Sequence, residues 1–463
     1  MRGKKMSRTQ KAIQEFEISE LEKMRTFDAF LRIPSVSSDP EMKPHLQEAA
    51  EFLKSYFEKL GMDEVRIYPT DLHPVVFAEK YSNLPEAKTL LIYGHYDVQP
   101  PDPLDAWITP AFEPTIRGEN LYARGASDMK GQILASVFAL ESVLKTGELP
   151  INIKFILEGE EEIGSPSLEG FIRDHTDLLK CDMILNPDAG MINKDSPTIV
   201  NGLRGLVYFE VRIDGPKMDL HSGLFGGNIA NPANVLAKII AQLHNPDGSV
   251  AIPGFYDRVR PLSDEDRQKI AMNPTSEADF LKITGAPAIF GEQGYTLLER
   301  QGARPTLDVN GLYAGFIGEG AKTIIPAYAK AKISCRLVPD QQHAEIYELA
   351  EKYIRTLVPP TVKVSFIKHS GGPSYLADDA PGLPNLIQAF KESWQKDVIY
   401  KREGGSIPVA TVMQEILGVK SILTGFGLPD DAIHSPNEHL HLPTWRKGIQ
   451  AYIRFLTSFE AQA

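Results

Sequence analysis

The groups in this chain that could do chemistry are histidines and carboxylates placed just beyond apolar runs. Leu90-Leu91-Ile92-Tyr93-Gly94-His95-Tyr96-Asp97-Val98 reads as a buried strand, and residues two apart on a strand share a face. His95 and Asp97 then sit side by side. One can bind a metal and the other orient it, because a ligating imidazole gives its second N–H to a carboxylate or carbonyl. A local hydrogen-bonded pair would have the same spacing. Asp128 stands at a strand-to-helix turn, a place for a ligand or for an N-cap. Glu160, Glu161 and Glu162 follow another apolar run, either as a solvated acidic turn or as carboxylates whose mutual repulsion a cation would relieve. Adjacent side chains diverge, so one glutamate can ligate while its neighbour faces a bound water. Asp188 ends a further strand, as a ligand or as an Asx turn. His434 opens His434-Ser435-Pro436-Asn437-Glu438, after a strand at 421–424.

Nitrogen and oxygen ligands without thiolate suit zinc, manganese or cobalt, and the candidates suffice for two ions. Two ions about 3.5–4 Å apart can share a carboxylate and a water, lowering that water's pKa from ~16 towards ~7 and polarising a carbonyl. Hydrolysis of an amide is the chemistry such a centre performs.

These groups must be positioned by a scaffold, and the pattern of the chain supplies one. Helices are expected at 13–32, 45–60 and 133–145, alternating with strands at 65–68, 75–78, 90–98, 151–157 and 181–185. Polar residues collecting at the C-terminal ends of strands describe an α/β sheet with its site along that edge. From about residue 206 the order changes to strand, helix (233–243), two strands (306–316 and 327–337), helix (344–357) and strand (362–367), which is a split βαβ or ferredoxin-like arrangement. The stretch 245–305 reads as an insertion with helix around 263–272. The expectation is therefore an α/β catalytic domain with a mixed sheet, made of residues 1–205 and 376–463 and interrupted by an α+β ferredoxin-like domain at 206–375. The second part resumes with a helix at 383–393 and ends with one at 444–459.

The 463 residues carry a formal charge of −12, with no basic block to serve as a nucleic-acid footprint. Cys181 and Cys335 form neither a Cys-x-x-Cys pair nor a disulfide framework, which fits a reducing cytoplasm. The first residues are charged but are followed by no apolar run of signal-peptide kind, and no run reaches membrane-spanning length.

Several motifs together resemble a known family. Gly94-His95-Tyr96-Asp97-Val98, Gly125-Ala126-Ser127-Asp128-Met129-Lys130-Gly131, Glu158-Gly159-Glu160-Glu161-Glu162-Ile163-Gly164-Ser165, Asp219-Leu220-His221-Ser222-Gly223 and Arg402-Glu403-Gly404-Gly405-Ser406-Ile407-Pro408 follow one another in its order. They are similar to those of the dinuclear metallopeptidases that include carnosinase, cytosolic non-specific dipeptidase, acetylornithine deacetylase and succinyl-diaminopimelate desuccinylase. The likeness runs from about residue 20 to the C-terminus, nearest to the carnosinase and non-specific dipeptidase branch.

The resemblance implies His95, Asp128, Glu162, Asp188 and His434 as metal ligands, with Asp128 bridging two divalent ions, zinc first and manganese or cobalt next. It implies Asp97 as the residue orienting His95, Glu161 as the general base, and a cis peptide between Asp128 and Met129. Met129 stands where many relatives carry Asp or Asn. In the inserted domain His221, otherwise a surface or capping histidine, would reach across a homodimer interface to stabilise the oxyanion. Arg336, otherwise an exposed strand residue, would grip the substrate's terminal carboxylate, with Thr323, Gly405 and Ser406 adding polar contacts. His439 and His441 are taken as structural. The implied activity is hydrolysis of dipeptides or short peptides. An N-acyl-amino-acid deacylase is the alternative, and a non-catalytic binding relative the reading from another class.

Overall fold

The structure, a computed structural model, describes residues 6–404 and 408–459. It divides into two compact units: Met1–Asn201, Ala377–Tyr400 and Val409–Ala463 form the first, and Gly202–Leu376 with Lys401–Pro408 the second. The expected boundaries, 206–375, differ by a few residues and by Lys401–Pro408, which the sequence pattern leaves with the first unit.

The first unit is built on a mixed sheet. Its strands run in the order Glu64–Tyr68, Val75–Lys80, Asn152–Glu158, Thr89–His95, Met183–Asn186, Ser421–Leu423, Thr198–Leu203. The first pairings are antiparallel, whereas Thr89–His95 is parallel to both neighbours and Ser421–Leu423 is parallel to Met183–Asn186. This settles where the polar residues go. In a parallel set the C-terminal ends emerge along one edge, and the register places His95 opposite Glu158 and Leu423 opposite Asn186. The strand at Thr89–His95 is buried from Leu90 onward, as a central strand covered on both faces must be.

One cover is the helix Lys130–Thr146, buried over most of its length and packed against helices Arg8–Leu31 and Leu442–Thr457. Trp445 from the last helix lies 5.2 Å from the Phe27 ring and donates from Nε1 to the Gly131 carbonyl at 2.8 Å. Gly131 is required there: a Cβ would fall 2.2 Å from the Ala126 carbonyl oxygen. The buried Lys130 ammonium donates to the Phe30 and Ile33 carbonyls at 3.1 and 2.6 Å, tying this helix start to the end of the first helix.

The second unit holds a four-stranded antiparallel sheet in the order Thr306–Ala314, Tyr328–Leu337, Gly205–Asp214, Lys363–Gly372. Helices Pro232–Ala241 and His343–Leu357 pack on it. Alternate residues Val207, Phe209, Val211 and Ile213 face Ile346, Ala350 and Ile354 of the second helix in one core. This is the ferredoxin-like arrangement expected from the sequence. The stretch 245–305 is more helical than expected, with Asp264–Ala271, Glu277–Thr284 and Leu297–Ala303 each opened by a capping box.

Candidate metal centre

Three of the residues expected to ligate, His95, Glu162 and Asp188, leave the first unit's sheet along that one edge. His95 ends its strand and is completely buried. Glu162 lies in the short 3-10 turn Glu161–Ile163 after the neighbouring strand, Asp188 follows the strand Met183–Asn186 on the other side, and Asp128 precedes the helix Lys130–Thr146. His434 arrives in the loop after Ser421–Leu423.

Asp128 stands at the middle and divides its two oxygens between the histidines. Oδ1 lies 3.2 Å from His95 Nε2, which is also 3.8 Å from Asp188 Oδ1. Oδ2 lies 2.9 Å from His434 Nε2, which is 3.2 Å from Glu162 Oε2. The five residues thus form two trios joined at one carboxylate: His95, Asp128 and Asp188, and Asp128, Glu162 and His434. Ligand atoms about 2.0–2.1 Å from a tetrahedrally coordinated ion stand about 3.3 Å from one another, and the four separations straddle that value.

Two further observations fit a cation. The fully buried His95 Nε2 has no hydrogen-bond partner of adequate geometry among the described residues, although carboxylates surround it. Its Nδ1 meets the Asp97 backbone carbonyl at 3.1 Å, so the tautomer that donates there leaves the Nε2 lone pair facing the trio. The local potential is also strongly negative. Burial works to lower the pKa of His95, yet the surrounding carboxylates of Asp128, Asp188 and Asp97 raise it well above the usual histidine range. His434 is pushed up to about 10 by Asp128 and Glu162. Burial works to raise the Asp128 carboxyl, and the hydrogen bond with His434 together with the neighbouring His95 imidazole hold it below its usual range instead. A site that gathers protons this way exchanges them for a divalent ion on binding.

The supporting contacts are specific. The wholly buried Asp97 carboxylate lies 3.4 Å from His95 Nδ1 and accepts from the Glu161 and Glu162 backbone N–H groups at 3.2 and 3.0 Å. It therefore braces the glutamate turn as well as the histidine. The three consecutive glutamates separate: Glu160 turns inward to Thr70 Oγ1, His73 N and Ser167 N at 2.7, 2.8 and 3.0 Å, leaving Glu161 and Glu162 at the centre. Burial pushes Glu161 up to about 8; His95 opposes this, while Asp188, Glu162 and Asp128 add to it.

Gln99 and Asn186 escaped the sequence reading. Gln99 Nε2 donates to Glu162 Oε2 at 2.8 Å, and Asn186 Oδ1 accepts from Asp188 N at 2.9 Å, so the Asx turn belongs to Asn186. Nothing local marks Gln99, whereas Asn-Pro-Asp after a strand is itself an Asx-turn signal. The Asp128–Met129 peptide is cis, and the His95 N–H points at Met129 Sδ at 3.3 Å.

The remaining expected residues belong to the second unit. His221 is exposed and caps the turn Ser222–Phe225, its Nδ1 accepting from Gly223 N at 3.0 Å. It sits beside Thr323, whose carbonyl accepts from Ser222 N at 3.0 Å. Arg336 lies on the strand Tyr328–Leu337. Gly405 and Ser406 lie outside the described residues. His439 packs 4.7 Å from the Tyr122 ring and His441 caps the last helix, both in structural roles.

Two trios sharing a carboxylate, at the edge where parallel strands end, are the arrangement that a metal-dependent hydrolase requires. Residues 91–458 match the profile of peptidase family M20/M25/M40. The chain belongs to that family. It is 33% identical over 444 residues to the Cys-Gly metallodipeptidase DUG1 of Candida albicans, covering 91% of each chain. Among solved structures it is similar to the M20 family metallo-carboxypeptidase Sso-CP2 of Sulfolobus solfataricus (TM-score 0.80, 34% identity, 95% of this chain and 99% of the other). Human carnosine dipeptidase 1 is a further structural relative (TM-score 0.78, 27% identity, 98% and 99%). The chain is accordingly a metallopeptidase that binds divalent metal and acts on small peptides. Among the described residues, no helix is long and apolar enough to cross a membrane.

Proposed function

We propose that this metallopeptidase is a dipeptidase that cleaves dipeptides or short peptides bearing a free C-terminal carboxylate, with two divalent ions held by His95, Asp128, Asp188 and by Asp128, Glu162, His434. The observation that carries this is the division of the Asp128 oxygens between two trios. Oxygen and imidazole donors without thiolate favour zinc, with manganese and cobalt admissible. Ions in these positions supply Lewis acidity, lowering the pKa of water from ~16 towards ~7 and polarising the scissile carbonyl.

The chain's own residues do the rest. Glu161 takes the proton of the attacking water and returns it to the departing amine, a task for a carboxylate held close to the reacting atoms. Asp97 keeps His95 in its ligating tautomer and holds the Glu161 turn in place. Arg336 binds the terminal carboxylate through its planar guanidinium. Arg204, whose pKa burial and then the nearby Arg336 lower to about 10, shares that cationic region of the second unit. Thr323, Gly405 and Ser406 add polar contacts to the substrate. His221 of one protomer serves its partner by stabilising the oxyanion. The homodimer forms through the inserted domain, whose edge strand Thr306–Ala314 exposes Val309, Leu312 and Tyr313. Free Cys181 and Cys335 suit a cytoplasmic location.

The relatives' names suggest Cys-Gly and β-Ala-His as first substrates, tested beside N-acetyl-amino acids on protein stripped with chelator and reloaded with zinc, manganese or cobalt. Dipeptide turnover that disappears with chelation and returns with metal is expected. Turnover of the N-acyl amino acids alone would replace the dipeptidase reading with a deacylase. Mixing His221→Ala with Glu161→Ala protein should regain activity through hybrid dimers. No recovery in a mixture shown to exchange protomers would remove the histidine in trans.

A further inference from the structure

His434 differs from the other expected ligands in its support. It belongs to an irregular loop in which Ala432, His434 and Asn437 all have positive φ (55°, 60° and 64°), and its side chain is 51% exposed. Something else must hold the imidazole near Asp128. At one end of the loop the fully buried Glu438 carboxylate collects four donors: Arg124 Nη1 at 2.6 Å and Gly125 N at 2.9 Å on Oε2, and Ser127 N and Asp128 N, both at 3.0 Å, on Oε1. The Glu438 backbone carbonyl also accepts from Ala123 N at 3.1 Å. At the other end the buried Asp431 Oδ2 accepts from Ser127 Oγ at 2.6 Å and Leu428 N at 2.8 Å. Two buried carboxylates on either side of His434 are therefore both fastened to the turn that ends at Asp128.

A buried carboxylate persists only where donors replace the water it loses, and here the donors are successive main-chain N–H groups and one guanidinium. That choice of partners fixes the backbone of the Asp128 turn directly. Glutamine would keep one acceptor oxygen and turn an NH2 group against donors at the other, while aspartate falls a methylene short.

We propose that Glu438 is a positioning residue of the metal centre, fixing Asp128 and His434 as one preformed pair so that the half-site of Asp128, Glu162 and His434 exists before a cation arrives. This rests on reading those residues as ligands. The test keeps the two ideas apart. Cobalt is titrated, in competition with a chromophoric chelator and without substrate, into metal-free full-length wild type, Glu438→Gln, His434→Ala and the double variant. Glu438→Gln should weaken one binding step by about 10–100-fold, the range for a residue that orients a ligand. In the His434→Ala background the same change should add less than about threefold, because the step it acts on is already lost. Unaltered binding in His434→Ala would sink the ligand assignment. A lost step in His434→Ala with unchanged affinities in Glu438→Gln would overturn the positioning role. Fully additive losses would overturn it too, since they would mark a general effect on the fold. Should Glu438→Gln fail to give native near-UV circular dichroism, Glu438→Asp keeps the charge in the pocket but falls a methylene short of the four donors. It should weaken the same step several-fold, and unchanged affinity there overturns the proposal.

Discussion

His95 and His434 meet the same carboxylate from far ends of the chain and are held in opposite ways. His95 is at the end of a central strand hydrogen-bonded on both sides, wholly buried, with its second nitrogen bonded to the Asp97 carbonyl. Its place is set by the same core that stabilises the unit. His434 is half exposed on an irregular loop, and among the described residues its imidazole has as polar partners the groups it would share a metal with, Asp128 and Glu162. A core-borne ligand cannot be moved without unfolding its surroundings, whereas a loop-borne ligand can be. The difference implies that metal affinity and fold stability are coupled at one trio and separable at the other.

The largest effect should come from a residue that belongs to neither trio. Glu161→Gln keeps all five ligand-type groups and removes only the carboxylate assigned to proton transfer, so kcat should fall by about 10³-fold. Metal content, measured on the same sample, should stay that of the wild type; unchanged kcat would remove Glu161 from the mechanism.

The comparison itself is tested by the paired substitutions His95→Ala and His434→Ala, followed by urea unfolding of metal-free protein. His95→Ala leaves Asp97, Asp128 and Asp188 without their central partner in a buried site, and removing one member of a buried ion pair costs about 3–5 kcal/mol. His434→Ala removes a half-exposed partner, for which about 0–1 kcal/mol is expected. Equal losses would mean that the two trios are supported alike.

A smaller effect should follow from Gln99→Ala, which frees the Glu162 carboxylate of a 2.8 Å hydrogen bond. A loss near the low end of the 10–100-fold range is expected, confined to the His434-side step of a cobalt titration. A change at the other step instead would reassign Glu162.

How far the centre was legible in the sequence follows the same division. His95 and Asp97 could be read from a nine-residue stretch because a buried apolar run and a two-residue spacing are local facts. The joining of Asp128, Glu162, Asp188 and His434 was legible through the order of several motifs; each residue alone had an ordinary capping or turn role. The roles of Gln99 and Glu438 were invisible, because their work is done across long sequence separations by contacts with no local pattern. The parallel alternation of the first unit and the split βαβ order of the second were likewise readable from periodicity. The strand Thr198–Leu203 was missed because Asn201 and Gly202 give it the look of a loop, although every residue in it is buried. The helix Glu277–Thr284 was missed for the converse reason. It buries none of its residues, so apolar periodicity was absent, yet Ser276 and Asp279 had announced its start as a capping box.

The gentlest probe of the two histidines is pH, applied to metal-free protein in chelator. His434 in the folded chain is raised to about 10 from an ordinary 6.5, by hydrogen bonds to Asp128 and then Glu162. A group whose folded pKa lies above its unfolded one contributes stability that is fully present below the unfolded value and is lost as pH rises through the folded value. Between about pH 6.5 and 10 the unfolded state therefore binds fewer protons, and stability should decline with rising pH. The contribution is modest because the imidazole is half exposed and screened by solvent. The His434→Ala variant should show a flatter profile across that window, whereas Glu438→Gln, which keeps the imidazole but loosens its tether, should fall between the two. A wild-type profile as flat as that of His434→Ala would mean that His434 leaves Asp128 when no cation is present, and the preformed pair would then be an arrangement that the metal itself creates.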